Sequence, residues 1–169
     1  MAITDQDLSS SKCETMAHIM NVSSEISLVI LDLLARSMIH DVTKLMSPEV
    51  ECFAEFTKKL AAVTYGSDEY KNMLAEMKPT LQHHYSMNSH HPEHHANGID
   101  DMTIMDVVEM FCDWRAATHR HNDGNIMKSI DINEKRFNIN PQLANILRNT
   151  ARHFSAHADG DVKKVQKPE

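Results

Sequence analysis

Apolar residues in this chain recur at steps of three and four, the repeat of an α-helix. Leu74, Met77, Leu81 and His84 keep it, and so do Val107, Met110, Phe111, Trp114 and Thr118. Runs of β-branched residues are scarce, and Met and Ala fill apolar positions instead, which favours helix over sheet. Only 4 Gly and 5 Pro interrupt 169 residues, so helices have few places to stop. The pattern predicts an all-α fold, a single-domain helical bundle over residues 1–157, with a flexible tail over 158–169.

Local signals suggest where the helices begin and end. Ser9, Ser10 or Ser11 is expected to cap a helix through Cys13, Met16, Ile19 and Met20. The polar patch Asn21 to Glu25 is expected to bend or break it, with Ser24 or Ser27 capping a second helix that carries Leu28, Leu31, Leu34 or Ala35, and Met38. The run Ile26 to Ala35 is too short to span a bilayer and carries Asp32, so it reads as a buried helix. Ser47 as N-cap with Pro48 in the first helical position starts a helix through Val50, Phe53, Ala54 and Leu60. Ser67 opens another, which carries the stripe from Leu74 to His84. Residues 88–98 have no apolar period and read as a loop, Thr103 with Asp106 resembles a capping box, and Asn140-Pro141 starts the last helix.

A formal charge of −7 argues against an extended nucleic-acid surface, which needs clustered Lys and Arg. It leaves room for a small anionic substrate, because a bound metal reverses the sign locally. Cys13, Cys52 and Cys112 form neither a CxxC pair nor a disulfide framework, and residues 1–11 lack a signal-peptide apolar region. A reduced, cytoplasmic setting without membrane contact is the expectation; oligomerisation stays open.

Chemistry concentrates in His18, the doublet His40-Asp41, and Asp113. Two imidazoles and two carboxylates from separate helices suit a divalent cation. Adjacent residues of a regular helix point about 100° apart, so the doublet can share an ion only near a helix end or cleft. His18 precedes His40 by 22 residues, which on one straight helix means a separation of about 33 Å. A break near Asn21 to Ser27 is therefore required, and on an unbroken helix His18 is not a ligand.

The second signal is a cluster of six His, at 83, 84, 90, 91, 94 and 95. His84 continues a buried stripe and should face inward, whereas His91 and His90 are equally placed to serve. Lys44 follows Asp41 by three residues, and Arg120 follows Asp113 by seven, on the same helix face. Both suit an anionic group. No Gly-rich phosphate loop, Gly-x-Ser-x-Gly elbow or HExxH motif is present.

The words His18, Asn21-Val22, Leu34 and Ile39-His40-Asp41-Val42-Thr43-Lys44, with Asp113 on a later helix, resemble the HD-domain metal phosphohydrolase superfamily over roughly residues 15–120. That resemblance implies an HD-type helical bundle in which His18, His40, Asp41 and Asp113 hold one metal. It also implies that His84 and His91 hold a second, bridged by Asp41, since two-metal members place extra His in this interval. Mn, Fe, Co, Zn or Mg, as one or two ions, would serve. The implied activity is hydrolysis of a phosphate ester, with nucleotides among the candidates. Asp41 and Lys44 would take part in the chemistry, and Lys44, His94 and Arg120 would contact the phosphate. The His-His-Pro-Glu-His and Phe111-Cys-Asp-Trp-Arg words also resemble an uncharacterised family of short phage and bacterial proteins, for which a host cytoplasm would be the setting. Two rivals remain: a di-iron oxygenase on the same scaffold, and a non-enzymatic, metal-stabilised phage binding module.

Overall fold

The computed structural model describes residues 3–64, 67–119 and 124–165. Among these, seven α-helices and three 3-10 turns make up the regular structure, and there is no strand. None of the helices is long and apolar enough to cross a membrane. The chain divides into two compact units between His40 and Asp41.

The first unit is one helix, α1 (Asp5–Ile39). It starts earlier than the serine run suggests. Thr4 caps it, accepting from the Asp7 backbone N–H at 3.2 Å while the Asp7 carboxylate accepts from the Thr4 N–H at 2.9 Å. The expected break at Asn21 to Ser27 is absent. No Gly or Pro lies within α1, and the Ser27 hydroxyl donates to the Ser23 carbonyl at 2.8 Å, spending its hydrogen bond inside the helix. The Ile26 to Ala35 run, expected to be buried, is not: Ile26, Leu28 and Leu31 are 54%, 59% and 61% exposed. A lone helix has no inner face of its own, because burial needs a second packed layer.

The second unit holds α2 (Glu49–Ala61), α3 (Asp68–Glu76), α4 (Lys78–Met87), α5 (Ile104–Thr118), α6 (Ile126–Arg136) and α7 (Pro141–Val165). Its main core joins α5, α6 and α7 through Val107, Met110, Phe111, Ile130, Leu147 and Ala151. Ile130 is wholly buried and Met110 nearly so. α6 has no counterpart in the sequence reading, although Asn125 caps it, accepting from the Met127 and Lys128 N–H groups at 2.9 and 3.2 Å. The capping box of Thr103 and Asp106 forms as expected and starts α5.

α2, α3 and α4 pack on one another beside this core. Two boundaries differ from the sequence expectation. Pro48 occupies the N-cap of α2 rather than its first turn, so Glu49 is the first helical residue. The stripe from Leu74 to His84 spans two helices, because Pro79 has no N–H to continue the ladder of α3. The stripe survives that break, with Met77 and His84 each buried.

Candidate metal centre

The His40-Asp41 doublet does not sit on a helix. α1 ends at Ile39, His40 is its C-cap, and Asp41 adopts a left-handed conformation with φ 55° before the 3-10 turn Val42–Leu45. Asp is among the few non-glycine residues that visit this region readily, and strained backbone of this kind gathers at functional sites. The turn places Lys44 Nζ 2.6 Å from Asp41 Oδ2. On the other side, Asp41 Oδ1 faces His84 Nε2 at 3.2 Å and His90 Nε2 at 3.4 Å. Burial opposes ionisation of Asp41, but the facing His84 and His90 rings and the Lys44 ammonium outweigh it and hold the carboxyl far below the usual carboxylate range.

His84 comes from α4, and the loop that follows folds back to present His90 and His91. Asn88 directs that reversal, its amide donating to the His84 carbonyl at 2.8 Å while its own carbonyl accepts from the His91 N–H at 3.3 Å. Two side-chain clips hold the loop. His94 Nδ1 meets the Tyr85 carbonyl at 2.8 Å, and the Ser89 hydroxyl donates to Asp106 at 2.6 Å. Gly98, at φ 60°, lets the chain turn again into Gly98–Asp101. The result is a 2.9 Å approach of His84 Nε2 to His91 Nε2. Burial, then the nearby His90 and His84, push His91 down to about 3 despite the opposing pull of Asp113 and Asp41. At neutral pH His91 therefore offers a lone pair.

Each inward-facing nitrogen of His84 and His90 has a carboxylate behind it. His84 Nδ1 lies 2.9 Å from Glu49 Oε2, and His90 Nδ1 lies 3.1 Å from Glu109 Oε1. Glu49 is fully buried at the start of α2. It also meets His83 Nδ1 at 2.8 Å and accepts from the Thr43 hydroxyl at 2.9 Å. Burial opposes its charge, while His83, Thr43 and His84 together bring its carboxyl below the ordinary value.

Donor atoms of Asp41, His84, His90 and His91 all lie within 4.8 Å of one another, so the four side chains are placed to hold a metal ion. The separations match coordination geometry. With metal–nitrogen bonds of about 2.0–2.1 Å, ligand atoms at 90° stand about 3.0 Å apart and at 109° about 3.4 Å apart. Three of the separations, 2.9, 3.2 and 3.4 Å, lie in or close to that range.

Of the residues singled out in the sequence, Asp41, His84 and His91 meet here. Asp113 is close, with a carboxylate oxygen within 4.8 Å of one from Asp41. Lys44 is bound to Asp41 as described. His90, weighed only as a substitute for His91, belongs to the centre alongside it. Glu49 and Glu109 were missed, and nothing in their local sequence marks them. His18 is a correction: it is exposed in the middle of unbroken α1, about 33 Å from His40 by helical rise, and cannot share an ion with it. His40 closes α1 as its C-cap, the residue before Asp41. His94 is an exposed clip on the Tyr85 carbonyl. Arg120 lies outside the described residues.

Fold and site together define an all-helical protein with a histidine–carboxylate cluster fit for a metal. Its sequence matches DUF5662, a family of unknown function, over residues 8–153, and the chain belongs to that family. No curated protein and no solved structure matches it.

Proposed function

We propose that this protein is a metal-dependent phosphohydrolase acting on a small anionic phosphate ester, nucleotides included. The observation that carries the reading is the convergence of three imidazole Nε2 atoms and Asp41 Oδ1 beside the Lys44 ammonium. Three imidazoles with one carboxylate suit Mn, Fe, Co or Zn better than Mg, which prefers an all-oxygen shell. Asp113, beside Asp41, would be a candidate donor for a second ion. The metal would supply Lewis acidity, polarising a phosphoryl oxygen and acidifying water.

The chain's own groups then have distinct tasks. His84, His90, His91 and Asp41 would hold the cation. Lys44, whose ammonium can donate but not ligate, holds a non-bridging phosphate oxygen and offsets charge there. It is positioned for this by the Asp41 contact and by the Phe53 ring, 5.2 Å from its Nζ. In hydrolysis a water oxygen bonds to phosphorus and gives up a proton to solvent, the ester P–O bond breaks, and the leaving oxygen takes a proton from solvent.

The test is a screen of phosphomonoesters, nucleoside triphosphates and cyclic nucleotides with Mn²⁺, Co²⁺, Mg²⁺ and Fe²⁺, each with and without chelator. Turnover that chelator stops is expected. Lys44→Ala should lower kcat/KM by about 10–100-fold, consistent with loss of one charge-stabilising contact, and leave metal content unchanged. No turnover from fully loaded protein would reject the hydrolase and leave oxygen chemistry or a binding module.

A further inference from the structure

The two outer carboxylates do more than fill space. An ionised carboxylate only accepts hydrogen bonds, and a neutral imidazole has one proton to give, so of two facing carboxylates the nearer one takes it. Glu49 at 2.9 Å holds the proton of His84 on Nδ1 against Asp41 at 3.2 Å from Nε2, and Glu109 at 3.1 Å holds that of His90 on Nδ1 against Asp41 at 3.4 Å. In the neutral ring that leaves a lone pair on each Nε2, the atoms that face Asp41 and the centre of the cluster. Without these acceptors the Asp41 carboxylate would draw the proton to Nε2 and close the site to a cation. Burial of Glu49 with no exposed surface is expensive for a carboxylate unless its partners need it there. We infer that Glu49 and Glu109 are positioning residues for the metal centre, selecting the Nδ1–H tautomer of His84 and His90.

This inference rests on the metal reading above and adds residues from α2 and α5 to it. Histidine ligands backed by carboxylates typically lose about 10–100-fold in metal affinity when the outer partner is removed. The experiment compares full-length wild type with Glu49→Leu, Glu109→Leu and Glu109→Gln. Co²⁺ affinity is measured by chelator competition, imidazole tautomers by long-range ¹⁵N–¹H correlation in metal-free protein, and folding by circular dichroism.

Both Leu variants should move the affected imidazole toward Nε2–H and weaken Co²⁺ binding by about 10–100-fold. Glu109→Gln keeps an acceptor oxygen and should restore the tautomer and most of the affinity. If Glu49→Leu does not fold, the two Glu109 variants decide. Equal Co²⁺ affinity in all four proteins overturns the positioning role alone, as does weakened binding with tautomers unchanged. Wild-type protein that takes up no Co²⁺ overturns the metal centre, and this role with it.

Discussion

Replacing Asp41 by Asn tests the centre with the least disturbance to the backbone. Asn tolerates the left-handed region that Asp41 occupies at φ 55°, whereas Ala there would cost about 1–2 kcal/mol. Asp41→Asn therefore removes the charge and weakens the donor while leaving the turn intact. A ligand at 100 times its Kd stabilises the state it binds by about 2.7 kcal/mol. For a unit of this size each kcal/mol moves Tm by about 3–6 °C, so saturating metal should raise the wild-type Tm by about 8–16 °C. An outer partner of a metal ligand is worth about 10–100-fold in affinity, and a direct carboxylate donor is worth at least as much. At a hundredfold loss, the same metal concentration equals Kd and contributes only about 0.4 kcal/mol, or about 1–3 °C. The assay is thermal unfolding with and without Co²⁺, Mn²⁺ or Zn²⁺, paired with elemental analysis. Asp41→Ala run alongside separates the backbone effect, which appears without metal, from the ligand effect, which does not. Wild-type metal content and an undiminished metal-dependent shift in Asp41→Asn would remove Asp41 from the site and with it the reasoning.

Two further outcomes follow. His91, held down to about 3, binds no proton where the unfolded chain does, so its contribution to stability is present above about pH 6.5 and is lost as pH falls toward about 3. Denaturant midpoints in chelator should decline from pH 6.5, ahead of the carboxylate range, and His91→Asn should flatten that early decline; a wild-type midpoint constant down to pH 4.5 refutes it. Metal titration should show one tight equivalent lost in His84→Ala, and any second equivalent lost in Asp113→Asn; tight binding that survives His84→Ala contradicts the assignment.

How much of this was legible depended on how local each signal was. The stripe of α5 and its Thr103 cap are set by residues three and four apart, and the structure keeps them. The serines of α1 mislead because a hydroxyl can cap a new helix or bond back into an existing one, and Ser27 does the latter. Pro79 did mark the boundary between α3 and α4, but the continuous apolar stripe across it masked the signal. His84 was legible as an extension of that stripe. His90 and His91 lie in a loop, where no period chooses between them, and a chain reversing direction can present both. Glu49 and Glu109 reach their histidines from distant sequence positions, so only the packed fold reveals them.

The same geometry links metal and proton in one equilibrium. Asp41, Glu49, Glu109 and Asp113 gather four formal negative charges around three imidazoles, with Lys44 bound to one of them. A partly buried cluster so charged is costly unless cations enter it. A divalent ion supplies that positive charge, and it needs the Nε2 positions that face Asp41 empty of protons. His84 and His91 sharpen that requirement, because their Nε2 atoms stand 2.9 Å apart and at most one of them can hold a proton along that line. With the His84 proton held on Nδ1 by Glu49, the one on that line belongs to His91, and metal uptake requires it to leave Nε2 for Nδ1. A His91 ring that keeps its Nε2 proton in Zn²⁺-loaded protein, read by long-range ¹⁵N–¹H correlation, would mean that the ion sits elsewhere.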